Sequence, residues 1–266
     1  MSDPKILVFD IETAPIKAYV WDLYDQNIGI NQIIEDWHML AWAAKWYGDP
    51  ESKMMYMDTS KCKTPSDDKA LVQGLWNLLD QADIVITQNG KKFDVRKFNA
   101  RAKIHGLDAP SPFRNTDTYR EGKNTFGFTS HSLEYMSDKI NKKYKKLKHA
   151  RFPGFDLWKE VLNGNKQAWA DMKEYCINDV LATDELYGHI RGWIKTQNMA
   201  AFYDDSEIRC VCGSVNIFKK GFVYTDGGKF QGFKCRDCGK RPRGRVNLLS
   251  TEKRRSMTKE VSKNGE

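Results

Sequence analysis

Near the amino terminus a continuous apolar run, Ile6-Leu7-Val8-Phe9, passes directly into Asp10-Ile11-Glu12-Thr13. An unbroken apolar run of this length is expected of a buried strand. Asp10 and Glu12 lie two residues apart at its end, so both carboxylates point to one face. Like charges held that close repel unless a cation sits between them. Open α/β sheets place their sites at the carboxyl ends of strands, where this pair falls. Taken alone, an Asp-x-Glu also reads as two surface acids.

The chain continues as an alternation of strands and helices. Met39 to Tyr47 reads as a second strand and Met54 to Met57 as a third. Leu71, Leu75, Leu78 and Leu79 give Asp67 to Leu79 the spacing of a helix. Ile84-Val85-Ile86-Thr87 is a β-branched run closed by Asn89-Gly90, a turn signal. A helix is expected over Val95 to Ile104, with Asp94 placed to cap it. The longest helical stretch runs from Gln167 to Trp193, with Trp169, Met172, Cys176, Val180 and Leu186 recurring on one face. Such alternation defines an α/β body.

With 266 residues, 40% of them hydrophobic, the chain can bury a sizeable core as one large domain, alone or with a small module. No apolar run approaches the roughly 20 residues that a membrane span needs. The first residues also lack the apolar region of a secretory signal. A cytoplasmic protein without a membrane partner is therefore expected. Its six cysteines then serve as thiols or metal ligands rather than as a disulfide framework.

Two more acidic motifs follow the first. Asn89-Gly90-Lys91-Lys92-Phe93-Asp94 comes after a strand; Asp94 reads either as a helix cap or as a site residue. Tyr175 and Asp179 in Tyr175-Cys176-Ile177-Asn178-Asp179 are four apart and share a helix face. If Asp179 sits within the apolar face it needs a partner or a metal; otherwise it is an exposed acid beside an amphipathic tyrosine.

Charge is unevenly spread. Residues 207 to 266 carry 15 Lys+Arg against 6 Asp+Glu, a net of +9, whereas residues 1 to 206 are close to neutral. A basic end indicates a polyanion partner, most often nucleic acid, or else a solvated tail. A second basic stretch, Lys139 to Arg151, interleaves Tyr144 and Leu147 with lysines that include Lys142, Lys143, Lys145 and Lys146. It reads as a solvated loop or as a clamp on a phosphate backbone.

Taken in order, Asp-x-Glu, Asn-x3-Phe-Asp and Tyr-x3-Asp resemble the DEDDy group of 3′–5′ exonucleases, which have a ribonuclease-H-like fold. The wording Phe9-Asp10-Ile11-Glu12-Thr13 is most similar to the proofreading exonuclease of family B DNA polymerases. The DEDDh group carries a histidine five residues before the last aspartate, and that position is Glu174 here. The resemblance implies a mixed central sheet flanked by helices over residues 1–200. It also implies two Mg²⁺ or Mn²⁺ ions, one held by Asp10, Glu12 and Asp179 and the other bridged by Asp10 and reached by Asp94. Tyr175 is implied to orient the attacking water, and Asn89 and Phe93 to shape the site around the strand. Phe126, Phe128 and His131 are candidates for closing the pocket or for core packing.

Cys210-Val211-Cys212 and Cys235-Arg236-Asp237-Cys238 bracket an expected hairpin turning at Asp226-Gly227-Gly228. Four thiolates in two close pairs suit tetrahedral Zn²⁺. The segment, residues 207–250, resembles the zinc ribbons at the ends of transposases, a small β module whose structural Zn²⁺ supplies its folding free energy. Its first pair, Cys-x-Cys, is one residue shorter than the usual knuckle. Arg236, Lys240, Arg241 and Arg243 cluster about the second pair as nucleic-acid contacts, with Phe230 and Phe233 expected to stack on bases. A disordered basic tail is expected over 251–266.

The function expected from these readings is metal-dependent 3′–5′ hydrolysis of DNA, on single-stranded 3′ ends, with a polymerase or a repair or recombination protein as a possible partner. Two alternatives stay open. One is an RNA 3′–5′ exonuclease resembling ribonuclease D; the other is an inactive nucleic-acid-binding adaptor.

Overall fold

The computed structural model describes residues 3–64, 66–147, 151–195 and 198–258. Lys148, His149 and Ala150 of the basic stretch, and residues 259–266 of the expected tail, lie outside the described residues. The chain divides into two compact units, Pro4–Ile190 and a smaller one formed by Arg191–Glu266 with Met1–Asp3.

The larger unit is built on β1 (Ile6–Thr13), β2 (Lys17–Ala18), β3 (Ile33–Glu35), β4 (Met39–Trp46) and β5 (Met55–Asp58), followed by α1 (Lys69–Leu79) and β6 (Ile84–Thr87). It continues through α2 (Asp94–Ile104), β7 (Arg114–Asp117), α3 (Thr118–Thr125), α4 (Leu133–Ile140), α5 (Asp156–Leu162) and α6 (Lys166–Ile190). Its main sheet has the order β5-β4-β1-β6-β7. β1 pairs antiparallel with β4 and parallel with β6, and β6 pairs parallel with β7, so the sheet is mixed and β1 lies at its centre.

β1 has two unlike faces. Leu7, Phe9 and Ile11 pack with Leu71, Leu75 and Leu79 of α1 and Phe98 of α2 in one buried cluster. The alternation of side chains along a strand puts Asp10 and Glu12 on the opposite face, where Cys176 of α6 lies beside them. A long helix crossing a polar strand end is what brings acids far apart in sequence into one place. α6 spans Lys166–Ile190, shorter at its carboxyl end than the helix expected to Trp193.

Asp68 precedes α1 at the cap position but does not cap it. Its fully buried carboxylate accepts from Met39 N at 2.8 Å and from the Arg101 guanidinium at 2.7 and 2.6 Å, and it bonds His105 at 2.6 Å. These contacts tie β4, α1 and α2 together; burial raises the Asp68 carboxyl, but the hydrogen bonds from Arg101, Met39 N and His105, with the Arg101 charge, outweigh it and hold the carboxyl below its usual range.

The smaller unit carries β8 (Ile217–Thr225), β9 (Gly228–Cys235) and β10 (Arg243–Asn247) in a three-stranded antiparallel sheet, then α7 (Thr251–Arg255). The β8–β9 hairpin turns where Asp226-Gly227-Gly228 predicts. Residues 191–206 belong to this unit: Met199 N donates to Val211 O at 2.7 Å, and Lys240 Nζ donates to Ile194 O. The expected disordered tail is amended at its start, because Ser250 caps α7 by accepting from Lys253 N at 3.1 Å.

Candidate active site

Asp10 and Glu12 enter from β1, Asp94 from the first turn of α2, and Tyr175 and Asp179 from one face of α6. Glu12, Asp94 and Asp179 are all buried. Carboxylate oxygens of Asp10 and Glu12 and the sulfur of Cys176 lie within 4.8 Å of one another.

Asp94 is not the helix cap that its position suggests. Its Oδ1 accepts from Ile11 N at 3.1 Å, which draws it onto β1 between the two strand acids. The preceding loop is shaped to deliver it. Asn89 adopts a left-handed backbone (φ 63°), and a Cβ on Gly90 would meet the Thr87 side chain at 2.4 Å, so only glycine fits there. Asp117, which sequence reasoning missed, holds this loop: its buried carboxylate accepts from Asn89 N at 2.9 Å and Lys91 N at 3.1 Å, and caps α3 by accepting from Tyr119 N. Its signal was an acid at the end of a strand and the start of a helix.

Electrostatics bind the acids into one group. Burial, with the charges of Asp94, Glu12 and Asp179, raises the Asp10 carboxyl far above the usual carboxylate range. Burial and Asp179 push Glu12 up to about 8, and burial above all pushes Asp94 up to about 7. Lys146 opposes the rise at Asp10 and Glu12 without cancelling it. Its ammonium pairs with Asp179 Oδ2 at 2.7 Å and lies 4.7 Å from the centre of the Tyr175 ring. Burial works against the Lys146 charge, but Asp179 and Tyr175 outweigh it and raise its pKa. The Tyr175 hydroxyl is also raised, first by burial and then by Asp179, and Trp158 packs edge-on to its ring at 6.1 Å. Tyr175 is therefore a neutral phenol at neutral pH, suited to donating a hydrogen bond.

These residues fit divalent cations. Oxygen donors suit hard ions such as Mg²⁺ and Mn²⁺, and buried carboxylates that repel one another gain most from added positive charge. Cys176, which the helical spacing places on the apolar face of the long helix, stands beside the acids; burial and their charges keep it protonated.

A pH dependence follows. A carboxyl whose folded pKa is raised stabilises the fold fully below its unfolded value, near 4, and that stability is lost as pH rises through the folded value. Metal-free protein is expected to melt at progressively lower temperature from pH 5 to pH 9, through the window set by Asp94 and Glu12 at about 7 and 8. Adding Mg²⁺ should restore the loss most at high pH, since ligands must be deprotonated to bind. A melting temperature of the larger unit that is flat or rising over this range would contradict the electrostatic reading.

The basic stretch is not a free loop of lysines. Beyond Lys146 in the site, Lys145 Nζ donates to the Ser137 and Asp138 carbonyls at 2.8 and 2.6 Å, closing the end of α4. Lys143 pairs with Glu51, and the backbone N–H groups of Lys142, Lys143 and Tyr144 donate to the Glu185 carboxylate. Anchoring to Glu185 and to α4 is what turns Lys146 inward. Phe93 is partly exposed beside Lys97, and Phe126 and Phe128 stack on each other at 5.1 Å.

In the smaller unit the sulfurs of Cys210, Cys212, Cys235 and Cys238 converge within 4.8 Å, an arrangement that fits a zinc ribbon. The short Cys-x-Cys pair still closes. Cys210 N donates to Ser214 O and Gly213 N to Cys210 O, both at 2.8 Å, and Gly213 takes the left-handed backbone (φ 91°) that this tight turn requires. A hydrogen bond from the Cys210 thiol, above all, holds Cys212 down to about 5. Phe233 is buried and is not available to stack on bases, while Arg243 lies 3.9 Å over the ring of Phe230 and Arg236 5.0 Å over Phe218. Arg241 is exposed.

The mixed sheet, the helices about it and an acidic cluster at the end of its central strand define a ribonuclease-H-like protein. The RNase_H superfamily model matches residues 46–191, more than half of the chain, and the chain belongs to that superfamily. The match takes in Asp94, Tyr175 and Asp179 and begins after β1. Among solved structures, the family B DNA polymerase of the hyperthermophilic archaeon Pyrobaculum calidifontis is similar over 72% of this chain, at 14% identity and a TM-score of 0.49. The chain covers 25% of that polymerase. No curated protein matches it. Among the described residues, no helix is long and apolar enough to cross a membrane.

Proposed function

We propose that this chain is a metal-dependent 3′–5′ exonuclease that hydrolyses DNA from single-stranded 3′ ends. The observation that carries the reading is the meeting of Asp10 with the buried acids Glu12, Asp94 and Asp179 from three separate elements, with Tyr175 beside Asp179. Asp10, Glu12 and Asp179 would hold one divalent cation, and Asp10 with Asp94 a second. Bound there, the pair supplies charge to the attacking and leaving oxygens of an in-line displacement.

The chain's own residues do the rest. Asp94 is fixed by Ile11 N, so its carboxylate is oriented before anything binds. Lys146 fixes Asp179 and places a cation where a phosphate would approach. The Tyr175 hydroxyl, held as a neutral phenol, orients the attacking water by a hydrogen bond. The smaller unit, with a ribbon over 207–250, would hold one structural Zn²⁺ through its four cysteines and grip nucleic acid through Arg236, Arg241 and Arg243. Lys240 contributes to that unit's fold through Ile194.

The test is end-labelled strands incubated with Mg²⁺ or Mn²⁺. A 5′-labelled single DNA strand should give a ladder that shortens from its 3′ end, a 3′-labelled strand should release mononucleotide at once, and chelator should stop both. Cutting within the strand or from its 5′ end would overturn the polarity. RNA consumed in preference to DNA would move the activity to the ribonuclease class.

A further inference from the structure

Between β1 and β4 the chain leaves the main sheet as an arm tied off at its base. β2 and β3 pair there, Lys17 opposite Glu35 and Ala18 opposite Ile33, and Lys17 Nζ meets Glu35 Oε2 at 2.6 Å. Tyr19 N donates to Gln32 O at 2.9 Å and Gln32 Nε2 returns to Tyr19 O at 3.0 Å. Beyond this fixed base the arm is apolar and uncovered: Trp21 is 95% exposed, Ile30 89%, Leu23 85% and Tyr24 81%. Single exposed hydrophobic residues are ordinary, but a cluster this dense marks an interaction surface.

Its charge points to the kind of partner. Between Lys17 and Lys45 there is no lysine or arginine, and the arm carries Asp22 and Asp25. Affinity for nucleic acid rests on cations that neutralise phosphates, so an acidic arm suits a protein. The complementary surface lies on the same chain. At the arm's root a groove of about 410 Å³ is lined by Ile16, Ile34, Phe155 and Leu162, with Lys17 and Lys159 among its residues. Phe155 is 61% exposed, and the arm's own tip does not fill the groove. A molecule that presents both an acidic apolar projection and an apolar recess bearing lysines can satisfy both with one two-fold contact.

We propose that a second copy of this chain is the occupant: each arm seats Trp21 and Leu23 in the groove of the other protomer, with Asp22 and Asp25 against Lys159. The contact is independent of the nuclease reading. Sedimentation velocity on the full chain over a dilution series tests it. Wild-type protein should shift with concentration from 30.8 kDa toward twice that mass. Trp21→Ser combined with Leu23→Ser should raise the dissociation constant about tenfold or more, as expected for anchors at the centre of an interface. Lys159→Glu should weaken the dimer similarly, and joining it to Asp22→Lys and Asp25→Lys should restore association, a rescue that misfolding does not give. A wild-type monomer at every concentration, or a dimer indifferent to both arm and groove substitutions, would overturn the proposal. Arm variants that lose single-strand binding without any change in mass would overturn it too, and assign the arm to nucleic acid.

Discussion

Asp10→Asn and Asp179→Asn are each expected to abolish strand cleavage while leaving the larger unit folded. Both acids sit among carboxylates that repel one another: burial and its three acidic neighbours hold Asp10 far above its usual pKa, and Asp179 contributes to the rise at Glu12. Asp10→Asn removes the cost of that repulsion, so its metal-free form should melt at or above the wild-type temperature at pH 8, whereas Asp179→Asn also strips Lys146 of its carboxylate partner and should melt below Asp10→Asn. Activity should fall in both, because each variant takes an oxygen ligand from a proposed cation. Losing about 4 kcal/mol of transition-state stabilisation slows turnover about 10³-fold. Single-turnover cleavage of a labelled strand and a thermal melt of the same preparations check both halves. A double variant that cuts at the wild-type rate would remove these acids from catalysis.

Stripping metal from the four cysteines is expected to unfold the smaller unit alone. That unit has little apolar interior of its own; among its described residues Ile194, Met199, Phe233, Cys210 and Cys235 are the buried hydrophobic ones. A core this small does not hold a module together. Structural zinc supplies on the order of 10–16 kcal/mol to comparable sites. A strong chelator, or Cys235→Ser, should therefore open residues 191–266 to protease and leave Pro4–Ile190 resistant. Zinc returned to the chelated wild type should restore protection. Resistance unchanged by chelator, with no metal released, would show that the cysteines pack without an ion.

The parts of this molecule that were legible in the sequence are those fixed by local pattern. The apolar run into Asp10, the leucine spacing of α1 and the hairpin at Asp226-Gly227-Gly228 depend on neighbours in the chain, and they stand where the pattern puts them. The period of two along β1 also separates Asp10 and Glu12 from the packed face. What was hidden depends on partners far away. Asp94 has the local look of a helix cap, yet its bond goes to Ile11, 83 residues earlier. Asp117 gave no motif because its work is to hold the loop at Asn89–Lys91. Lys146 looked like one lysine among many; a count of charges does not tell which ammonium the Glu185 anchor and the end of α4 will turn inward. Phe233 carried the same ambiguity, since an aromatic in a basic hairpin serves the inside of the hairpin as readily as a base. The arm from Tyr19 to Gln32 carries no α-helix or strand, so only its exposure distinguishes it.

Calorimetric titration of Mn²⁺ into zinc-loaded, chelator-free protein at pH 8 measures most directly whether acids from three distant segments act as one cation site. Wild type should bind Mn²⁺, Asp10→Asn should bind far more weakly, and a protein with Asp10, Glu12, Asp94 and Asp179 all replaced by their amides should not bind at all. Wild type that takes up no Mn²⁺, or a fourfold variant that binds as wild type does, would contradict it.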